Sequence, residues 1–318
     1  MGKVAFLFAG QGSQQVGMAR DLHDADADVR ALFADFPGAD ALRRTMFEGP
    51  DAGLTRTDVA QPAIYLASLA ALAVLAKRRP DLRADAMAGL SLGEYTALVA
   101  AGALSHAQAV SLLALRGRFM QEACDARRGA MASVLGASAD DVEAVLREVS
   151  TPEAPVVVSN HNSPKQVVIS GAAEAVEKAV AALKARGVKR AIPLNVAGAY
   201  HSPLMQPAAA KLSPHLASAD IRAPGTPVYA NVTAEPHGAP DAVRDLLARQ
   251  VVAPVRFAQT IERLLAGGFT DFYELGPGGV IASLVKQTAR DLGREARTFA
   301  VSDLGSIEAL GAGTGAPA

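Results

Sequence analysis

Short, continuous apolar runs alternate along most of this chain with longer segments in which apolar residues recur at helical spacing. The runs predict buried strands, because a strand that is covered on both faces is apolar at nearly every position. Strands that alternate with helices predict a mainly parallel sheet with helices on both faces. The predicted strands are residues 4–8, 84–88, 228–231, 271–275 and 297–301, and the predicted helices are residues 16–22, 27–35, 39–47, 59–77, 96–101, 105–123, 207–217, 242–251, 256–266 and 280–289.

The pattern changes in the middle of the chain. Short strands are predicted there at residues 130–135, 156–160, 166–170 and 190–196, and helices at residues 139–149 and 173–186. The order strand-helix-strand-strand-helix-strand is that of ferredoxin-like domains. We therefore expect a small ferredoxin-like α+β domain at residues 129–197, inserted into a large α/β domain formed by residues 1–128 and 198–318. The small-residue tail from Gly311 is expected to be frayed.

Composition narrows the possible partners and the compartment. With 31 basic and 32 acidic residues, the chain has no overall charge that would attract nucleic acid or an anionic membrane. Cys124 is the only cysteine, which excludes an internal disulfide and a multi-cysteine metal site and suits a reducing cytoplasm. Residues 1–10 lack the apolar region of a signal peptide, and no run of about 18 apolar residues is present. The alanine-rich segment 65–76 is interpreted as a buried helix of a soluble protein.

One segment has the pattern of a catalytic nucleophile. Residues 89–95 read GLSLGEY, with a predicted strand before and a helix after. A serine in G-x-S-x-G at such a junction is typical of a nucleophile elbow, where the turn is so sharp that only small residues fit two positions away. Ser91 is then the predicted nucleophile, and the backbone N–H of Leu92 can stabilise an oxyanion. The alternative is a glycine-punctuated turn with a chance serine.

A serine hydroxyl needs a neighbouring base before it can act as a nucleophile. Two of the six histidines, His161 and His201, follow strand-like segments in loops, where catalytic groups of α/β proteins collect. The other four lie in helices, near helix ends or in a Pro/Gly-rich loop: His23, His106, His215 and His237. The residues alone leave both loop histidines as candidates, and a structural role is the alternative for each.

Two further features suggest ligand contacts. The glycines around Gln11 follow the first predicted strand and let a backbone N–H approach a ligand closely. A phosphate-binding loop is disfavoured, since neither G-x-G-x-x-G nor G-x-x-x-x-G-K-[ST] is present. Arg116 and Arg118 lie two residues apart on one predicted helix and therefore face different directions. Either one can equally be a surface residue or pair with a carboxylate.

Six motifs together resemble the malonyl-CoA:acyl carrier protein transacylase family, which includes the acyltransferases of polyketide synthases. They occur in the order of that family and span nearly the whole chain: FAGQGSQ at 8–14, GLSLGEY at 89–95, RGRFMQ at 116–121, NHNSP and QVVISG at 160–171, GAYHSPLM at 198–205 and ELGPG at 274–278. The resemblance implies that the large domain is hydrolase-like. It also implies a two-step transfer in which the nucleophilic serine carries the malonyl group from malonyl-CoA to the phosphopantetheine thiol of an acyl carrier protein.

The resemblance assigns roles to residues of this chain. Ser91 matches the nucleophile and His201 the general base, while the backbone N–H groups of Gln11 and Leu92 match the oxyanion hole. A main-chain carbonyl orients the histidine in this family, and we expect it from Gln250 or a neighbour. No permanently bound cofactor is implied, and no metal site.

Substrate selection is assigned in the same way. Arg116 is expected to bind the malonyl carboxylate, and Tyr200, in place of the commoner Phe, to exclude an α-methyl branch. Asn160 and Asn162 match a loop that lines the cleft, although turn residues are often asparagines for local reasons. Leu90 departs from the histidine of many relatives, and activity is expected to survive because that side chain is outside the dyad.

The remaining expectations concern partners. Lys189, Arg190 and Lys286, the last with Arg290 one helical turn away, are candidate contacts for the acidic carrier protein or for CoA, and a solvated surface role is the alternative. The protein is expected to be a monomer. The rival functions are a thioesterase-like acyl hydrolase and an inactive carrier-protein docking module. The sequence does not distinguish fatty-acid from polyketide synthesis.

Overall fold

The apolar runs form the strands of two separate sheets in the computed structural model, which describes residues 2–311. The strands are β1 Lys3–Phe8, β2 Ala86–Gly89, β3 Gly129–Leu135, β4 Val156–Ser163, β5 Gln166–Ala172, β6 Arg190–Pro193, β7 Val228–Tyr229, β8 Phe269–Leu275 and β9 Arg297–Val301. The helices are α1 Arg20–Ala25, α2 Ala27–Ala34, α3 Ala39–Glu48, α4 Thr57–Arg78, α5 Gly93–Ala100, α6 His106–Ala126, α7 Ala139–Val149, α8 Ala173–Ala185, α9 Gln206–Ser218, α10 Pro240–Gln250, α11 Phe257–Ala266, α12 Val280–Asp291 and α13 Leu304–Gly311. Short 3-10 turns occur at Asp51–Leu54 and Pro203–Met205.

The larger sheet is parallel throughout and has the strand order β7-β2-β1-β8-β9. Its central strand β1 is buried over its last four residues, because helices cover both faces. Separate apolar clusters lie against the two faces of this sheet. This confirms the predicted α/β class with a parallel sheet covered by helices.

The smaller sheet is antiparallel and has the strand order β4-β5-β3-β6. Helices α7 and α8 bury their apolar stripes on it and form a core of their own. This order matches the ferredoxin-like α+β arrangement expected from the sequence. The domain limits at residues 129–197 stay a prediction.

The apolar helix α4 is the one described helix that is long and apolar enough to cross a membrane by length and composition alone. The most apolar window of this helix is 78% buried inside the protein. It is therefore a core helix, packed against α6 on one side of the parallel sheet.

Three local predictions were wrong. The helix predicted at 16–22 begins only at Arg20, because Gly17 and Ala19 adopt left-handed backbone conformations with φ of 92° and 59°. The strand predicted at 190–196 ends at Pro193. Strand β4 continues to Ser163 through two register shifts, so that residues 160–163 are a bulged strand and not a loop. The tail beyond Gly311 lies outside the described residues.

The carboxyl ends of four parallel strands meet at one edge of the larger sheet. The chain leaves β1 toward Gln11, β2 toward Ser91, β7 toward Asn231 and β8 at Glu274. Ligands bind at this edge in open α/β sheets. The end of β4 lies against the same region, since the backbone of His161 and Val255 is joined by a hydrogen bond of 2.9 Å.

Candidate active site

Ser91 lies on a strained turn between β2 and α5. Its φ is 55°, a left-handed conformation that costs roughly 1–2 kcal/mol for a residue with a Cβ. The turn is crossed so closely that a Cβ at Gly93 would lie 2.3 Å from the carbonyl oxygen of Phe8, and one at Gly89 would lie 2.0 Å from the backbone of Gly93. Glycine is therefore required on both sides of the serine. The turn leaves the side chain of Ser91 half-buried, facing a cavity.

His201 is the histidine that the fold brings to Ser91. Its Nε2 lies 2.7 Å from the Ser91 Oγ, and its Nδ1 lies 2.7 Å from the carbonyl oxygen of Gln250. Because a carbonyl can only accept, Nδ1 carries the hydrogen and the Nε2 lone pair faces the serine hydroxyl. Burial, together with the nearby Arg116 guanidinium, lowers the pKa of His201 to about 4. The imidazole is therefore neutral at pH 7 and able to accept the proton of the serine. The other candidate, His161, lies on β4.

Two unpaired backbone N–H groups next to the cavity can stabilise an oxyanion. The backbone N–H groups of Gln11 and Leu92 have no acceptor within residues 2–311. Both residues line the cavity that contains Ser91. Leu92 immediately precedes α5, whose dipole favours negative charge at this end. The cavity has a volume of about 170 Å³, little more than the roughly 150 Å³ that holds a benzene molecule.

Arg116 extends from α6 into the base of the cavity and is 1% exposed. One terminal nitrogen donates to the Oε1 of Gln61, and the other donates to the Oε1 of Gln250 at 2.9 Å and to the Oγ of Ser91 at 3.1 Å. No carboxylate of the described residues 2–311 lies within ion-pair distance of it. Burial lowers the pKa of the guanidinium from its usual value, yet an arginine keeps its charge in proteins. The cavity therefore contains a cation whose hydrogen-bond partners are all neutral.

A chain of hydrogen bonds connects this cation to the residue before the histidine. Gln61 donates to the Oγ1 of Thr57 at 2.7 Å, Thr57 donates to the Oε1 of Gln11 at 2.8 Å, and Gln11 donates to the hydroxyl of Tyr200 at 3.2 Å. Each amide is fixed in one orientation by this sequence of donors and acceptors. Burial raises the pKa of Tyr200 to about 12, so the phenol stays neutral. The ring of Tyr200 lines the cavity.

The other predicted site residues lie at different distances from the cavity. Asn160 and Asn162 line it from strand β4, and the Oδ1 of Asn162 is buried with no partner among the described residues. Leu90 also lines it. The predicted carrier contacts are all exposed and form no ion pair within residues 2–311: Lys189, Arg190, Lys286 and Arg290.

Two of these basic residues lie on elements that lead to the lining of the cavity. Arg190 starts strand β6, and Leu194, which follows this strand, lines the cavity. Lys286 lies on α12, whose first residue Val280 also lines it. Arg118 is the surface residue of the two arginines on α6, because its side chain is 59% exposed and lies 3.8 Å from Glu122.

Several residues of the site were not predicted from the sequence. Asn231 accepts from the backbone N–H of Ser91 at 2.7 Å, and Gln61 and Thr57 support Arg116 and Gln11. Glu274 lines the cavity, and burial raises its pKa to about 7. Glu274 falls inside a motif noted above, and Asn231 ends a predicted strand, which was the available signal. Nothing in the sequence marks Thr57 and Gln61, because Thr57 precedes the helix predicted at 59–77 and Gln61 is an ordinary position within it.

The geometry defines a class of protein: an α/β enzyme whose serine is activated by a histidine, with two free N–H groups for an oxyanion. Such an arrangement moves acyl groups. Residues 5–311 match the model of the acyl transferase domain family. The chain is 44% identical over 310 residues to the malonyl CoA-acyl carrier protein transacylase of Bacillus subtilis, covering 97% of this chain and 96% of that protein. It is 43% identical over 292 residues to the Escherichia coli K12 protein of the same name, covering 90% and 93%.

Solved structures agree with these relatives. The structure of the malonyl CoA-acyl carrier protein transacylase from Coxiella burnetii superposes with a TM-score of 0.90 at 35% identity, covering 97% of this chain and 96% of that one. A malonyl-transacylase in complex with its type II polyketide synthase acyl-carrier protein gives 0.89 at 38% identity, covering 96% and 98%. The chain belongs to the malonyl CoA-acyl carrier protein transacylase family of acyltransferases.

Proposed function

We propose that this protein transfers the malonyl group of malonyl-CoA, through an ester on Ser91, to the phosphopantetheine thiol of an acyl carrier protein. The buried guanidinium of Arg116 carries the proposal. It lies 3.1 Å from the Ser91 Oγ and has only neutral partners, so it suits an acyl group that ends in a carboxylate. Malonyl is such a group, and the small cavity fits its size.

In the first half-reaction the Ser91 Oγ attacks the thioester carbon of malonyl-CoA, and the Nε2 of His201 takes the hydroxyl proton. The carbonyl oxygen becomes an oxyanion, which the N–H groups of Gln11 and Leu92 stabilise. The C–S bond then breaks, and the departing thiolate of CoA takes the proton from His201. The malonyl group is left as an ester of Ser91.

In the second half-reaction the same groups act in reverse. The pantetheine thiol of the carrier protein gives its proton to His201, and its sulfur attacks the ester carbon. The oxyanion forms again at the N–H groups of Gln11 and Leu92, and the C–O bond breaks as Ser91 recovers its proton. The carbonyl of Gln250 holds the imidazole in one tautomer through both steps.

Arg116 and Tyr200 select the acyl group. A carboxylate can accept two parallel hydrogen bonds from the guanidinium, whereas acetyl offers no acceptor there. Tyr200 directly precedes His201 and is fixed by Gln11, so its ring limits the space beside the α-carbon of the acyl group. We therefore expect malonyl to be preferred over both acetyl and methylmalonyl. Asn160 and Asn162 complete the wall of the cavity.

The partners follow from the same site. The carrier protein and CoA are acidic, and the exposed residues Lys189, Arg190 and Lys286 offer positive charge to them. The chemistry needs no resident cofactor or metal, since the serine and histidine perform both steps. All proposed catalytic groups come from one chain, which suits a monomer. The buried thiol of Cys124, whose pKa is raised to about 11 by burial, suits a cytoplasmic protein.

The relatives support this function by name. Three of those reported above carry the name malonyl CoA-acyl carrier protein transacylase, and a fourth was solved in complex with a polyketide synthase carrier protein. The pathway served can be fatty-acid or polyketide synthesis, and the carrier protein decides between them.

Intact-protein mass spectrometry tests the function. We expect malonyl-CoA to place one malonyl group on the wild-type chain, and a carrier protein that bears phosphopantetheine to remove it. Ser91→Ala should carry none. Acetyl-CoA and methylmalonyl-CoA, offered in parallel, should acylate more slowly. Rapid release of free malonate without carrier protein would indicate a hydrolase, and no acylation at all would indicate an inactive docking module.

A further inference from the structure

A fully buried acid–histidine pair lies behind the proposed dyad and takes no direct part in it. The Nε2 of His237 lies 2.7 Å from the Oε1 of Glu94, and the two side chains are 0% and 1% exposed. The Nδ1 of His237 has no partner among the described residues. Since a carboxylate oxygen can only accept, Nε2 carries a hydrogen and donates it to Glu94.

The fold builds a specific connection to bring His237 to this place. The chain leaves β7, turns through Ala234 with φ of 56°, and returns so that the backbone N–H of His237 donates to the carbonyl of Val228 at 2.7 Å. A left-handed non-glycine residue is tolerated only where its surroundings fix it. The turn therefore holds His237 beside the first turn of α5, where Glu94 lies.

The second oxygen of Glu94 holds the two residues that contact the dyad. Its Oε2 accepts from the backbone N–H of Asn231 at 3.0 Å and from the side-chain amide of Gln250 at 2.7 Å. A buried carboxylate needs such donors, because no water replaces them. Glu94 thus accepts from three donors, one on Oε1 and two on Oε2.

Asn231 fixes the backbone of the nucleophile. Its Oδ1 accepts from the N–H of Ser91 at 2.7 Å, and its Nδ2 donates to the carbonyl of Gly89 at 2.7 Å. These two bonds span the strained elbow from both sides. The left-handed conformation of Ser91 therefore depends on the position of Asn231, which Glu94 sets.

Gln250 is oriented by the same carboxylate. Its Nε2 donates to Glu94 and to the carbonyl of Ser91, and its Oε1 accepts from Arg116. The reversed amide would direct its oxygen at two acceptors and its N–H groups at the guanidinium. Glu94 thereby ensures that Arg116 meets an oxygen at this position.

We propose that His237 and Glu94 are positioning residues of the acyl-transfer site: His237 holds Glu94, and Glu94 orients Asn231 and Gln250 so that the Ser91 elbow and the Arg116 guanidinium keep their reactive geometry. This rests on the proposed function, because the expected effects are read from malonyl transfer. His237 and Glu94 touch neither substrate nor the reacting atoms.

The test compares two variants at His237. His237→Met removes the donor at similar length, whereas the amide of His237→Gln places an N–H near the original Nε2. Rates of Ser91 acylation by malonyl-CoA and by acetyl-CoA are measured per acylable serine, counted by intact mass, so that misfolded protein does not contribute. Thermal unfolding is recorded beside them.

For His237→Met we expect malonyl acylation to fall on the order of 10- to 100-fold, as for other small misplacements of reacting groups. The malonyl-to-acetyl ratio should fall as well, because Gln250 no longer holds Arg116. His237→Gln should recover malonyl acylation to within about fivefold of wild type, the factor that one hydrogen bond is worth. A purely structural role would lower thermal stability in His237→Met and leave both the rate per acylable serine and the ratio unchanged, which overturns the proposal.

A double variant covers the case in which His237→Met does not fold. Glu94→Met combined with His237→Met removes the charge that would be left without its partner, which should restore folding. The introduced methionine offers no oxygen to the N–H groups of Asn231 and Gln250, so the malonyl-to-acetyl ratio should still fall. A wild-type ratio in this variant overturns the proposal. If the wild-type chain itself is not acylated by malonyl-CoA, the proposed function fails instead, and the positioning role fails with it.

Discussion

Removal of the Arg116 guanidinium tests directly whether this cation binds the malonyl carboxylate. The substitution Arg116→Met keeps much of the length of the side chain and deletes all of its donors. In the free enzyme the two terminal nitrogens donate to Gln61, Gln250 and Ser91, whereas the buried Nε has no partner among residues 2–311. When malonyl binds, the guanidinium exchanges these neutral acceptors for the malonyl carboxylate. The transition-state stabilisation lost in Arg116→Met is therefore only the difference between hydrogen bonds to the carboxylate and hydrogen bonds to the neutral acceptors.

That difference sets the size of the effect. A hydrogen bond to a charged group contributes about 1.5–3 kcal/mol, against roughly 0.5–1.5 kcal/mol for a neutral one. Two such bonds, corrected for the neutral partners they replace, leave about 2–3 kcal/mol. The value of kcat/KM for malonyl-CoA should therefore fall about 30- to 150-fold. Acetyl-CoA makes no such bonds, so its kcat/KM should hold or rise.

The assay is acylation of Ser91, followed by mass spectrometry with malonyl-CoA and acetyl-CoA in competition. Arg118→Met is the matched control, since Arg118 lies on the same helix with a side chain that is 59% exposed. This control should keep the wild-type preference. Because the substitution at Arg116 leaves Gln61 and Gln250 each short of a donor, rates are normalised to the acylable fraction. An unchanged malonyl-to-acetyl ratio in Arg116→Met would refute the carboxylate clamp.

Three further predictions follow from the site, two on pH dependence and one on the turn at Ser91. Burial and Arg116 lower the pKa of His201 to about 4. The rate of Ser91 acylation per folded enzyme should therefore stay constant from pH 8 down to about pH 5 and fall only through about pH 4. A fall in this rate near pH 6.5, the ordinary pKa of histidine, would contradict the prediction. The same depressed pKa means that the unfolded chain binds the proton first, so stability is full above about pH 6.5 and decreases as pH falls toward 4, which denaturant titration at several pH values measures. The third prediction concerns Gly93→Ala, which places a Cβ 2.3 Å from the Phe8 oxygen and should cost about 1–3 kcal/mol or more in unfolding free energy. The control Gly238→Ala, whose Cβ meets open space, should change the unfolding free energy by less than about 0.5 kcal/mol. Equal stability of the two variants would show that the elbow tolerates a side chain.

Periodicity predicted the elements of this fold well wherever local and tertiary preferences agree. Helix α7 occupies Ala139–Val149 and strand β9 occupies Arg297–Val301, as the pattern indicated. The segment 16–22 failed because backbone conformation, and not hydrophobicity, decides it: Gly17 and Ala19 are left-handed. Strand β4 ran past its predicted end because His161 and Ser163 still pair with Val167 and Gln166 of β5, through two register shifts. Such bulges break the regular alternation by which a strand is recognised in a sequence.

The site divides in the same way between what a sequence can and cannot indicate. Ser91, His201 and Arg116 fall in motifs whose chemistry is apparent from residue type, and the structure brings all three together. The residues that hold these three in place do not fall in such motifs, because their role depends on how their side chains are oriented in the folded protein. His237 appeared only as a histidine in a Pro/Gly-rich loop, yet it is buried against Glu94.

An amide side chain separates the two buried charged residues of this site, and the separation has a chemical reason. Arg116 and Glu94 are both buried, and Gln250 is hydrogen-bonded to each of them. A direct ion pair would occupy the guanidinium fork with a resident carboxylate, and an incoming malonyl group would have to displace it. An amide oxygen satisfies the cation in the empty site and is a weaker acceptor than the carboxylate of the substrate. Because a neutral side chain separates the two charges, the buried cation is hydrogen-bonded in the empty site and can still bind the carboxylate of the ligand.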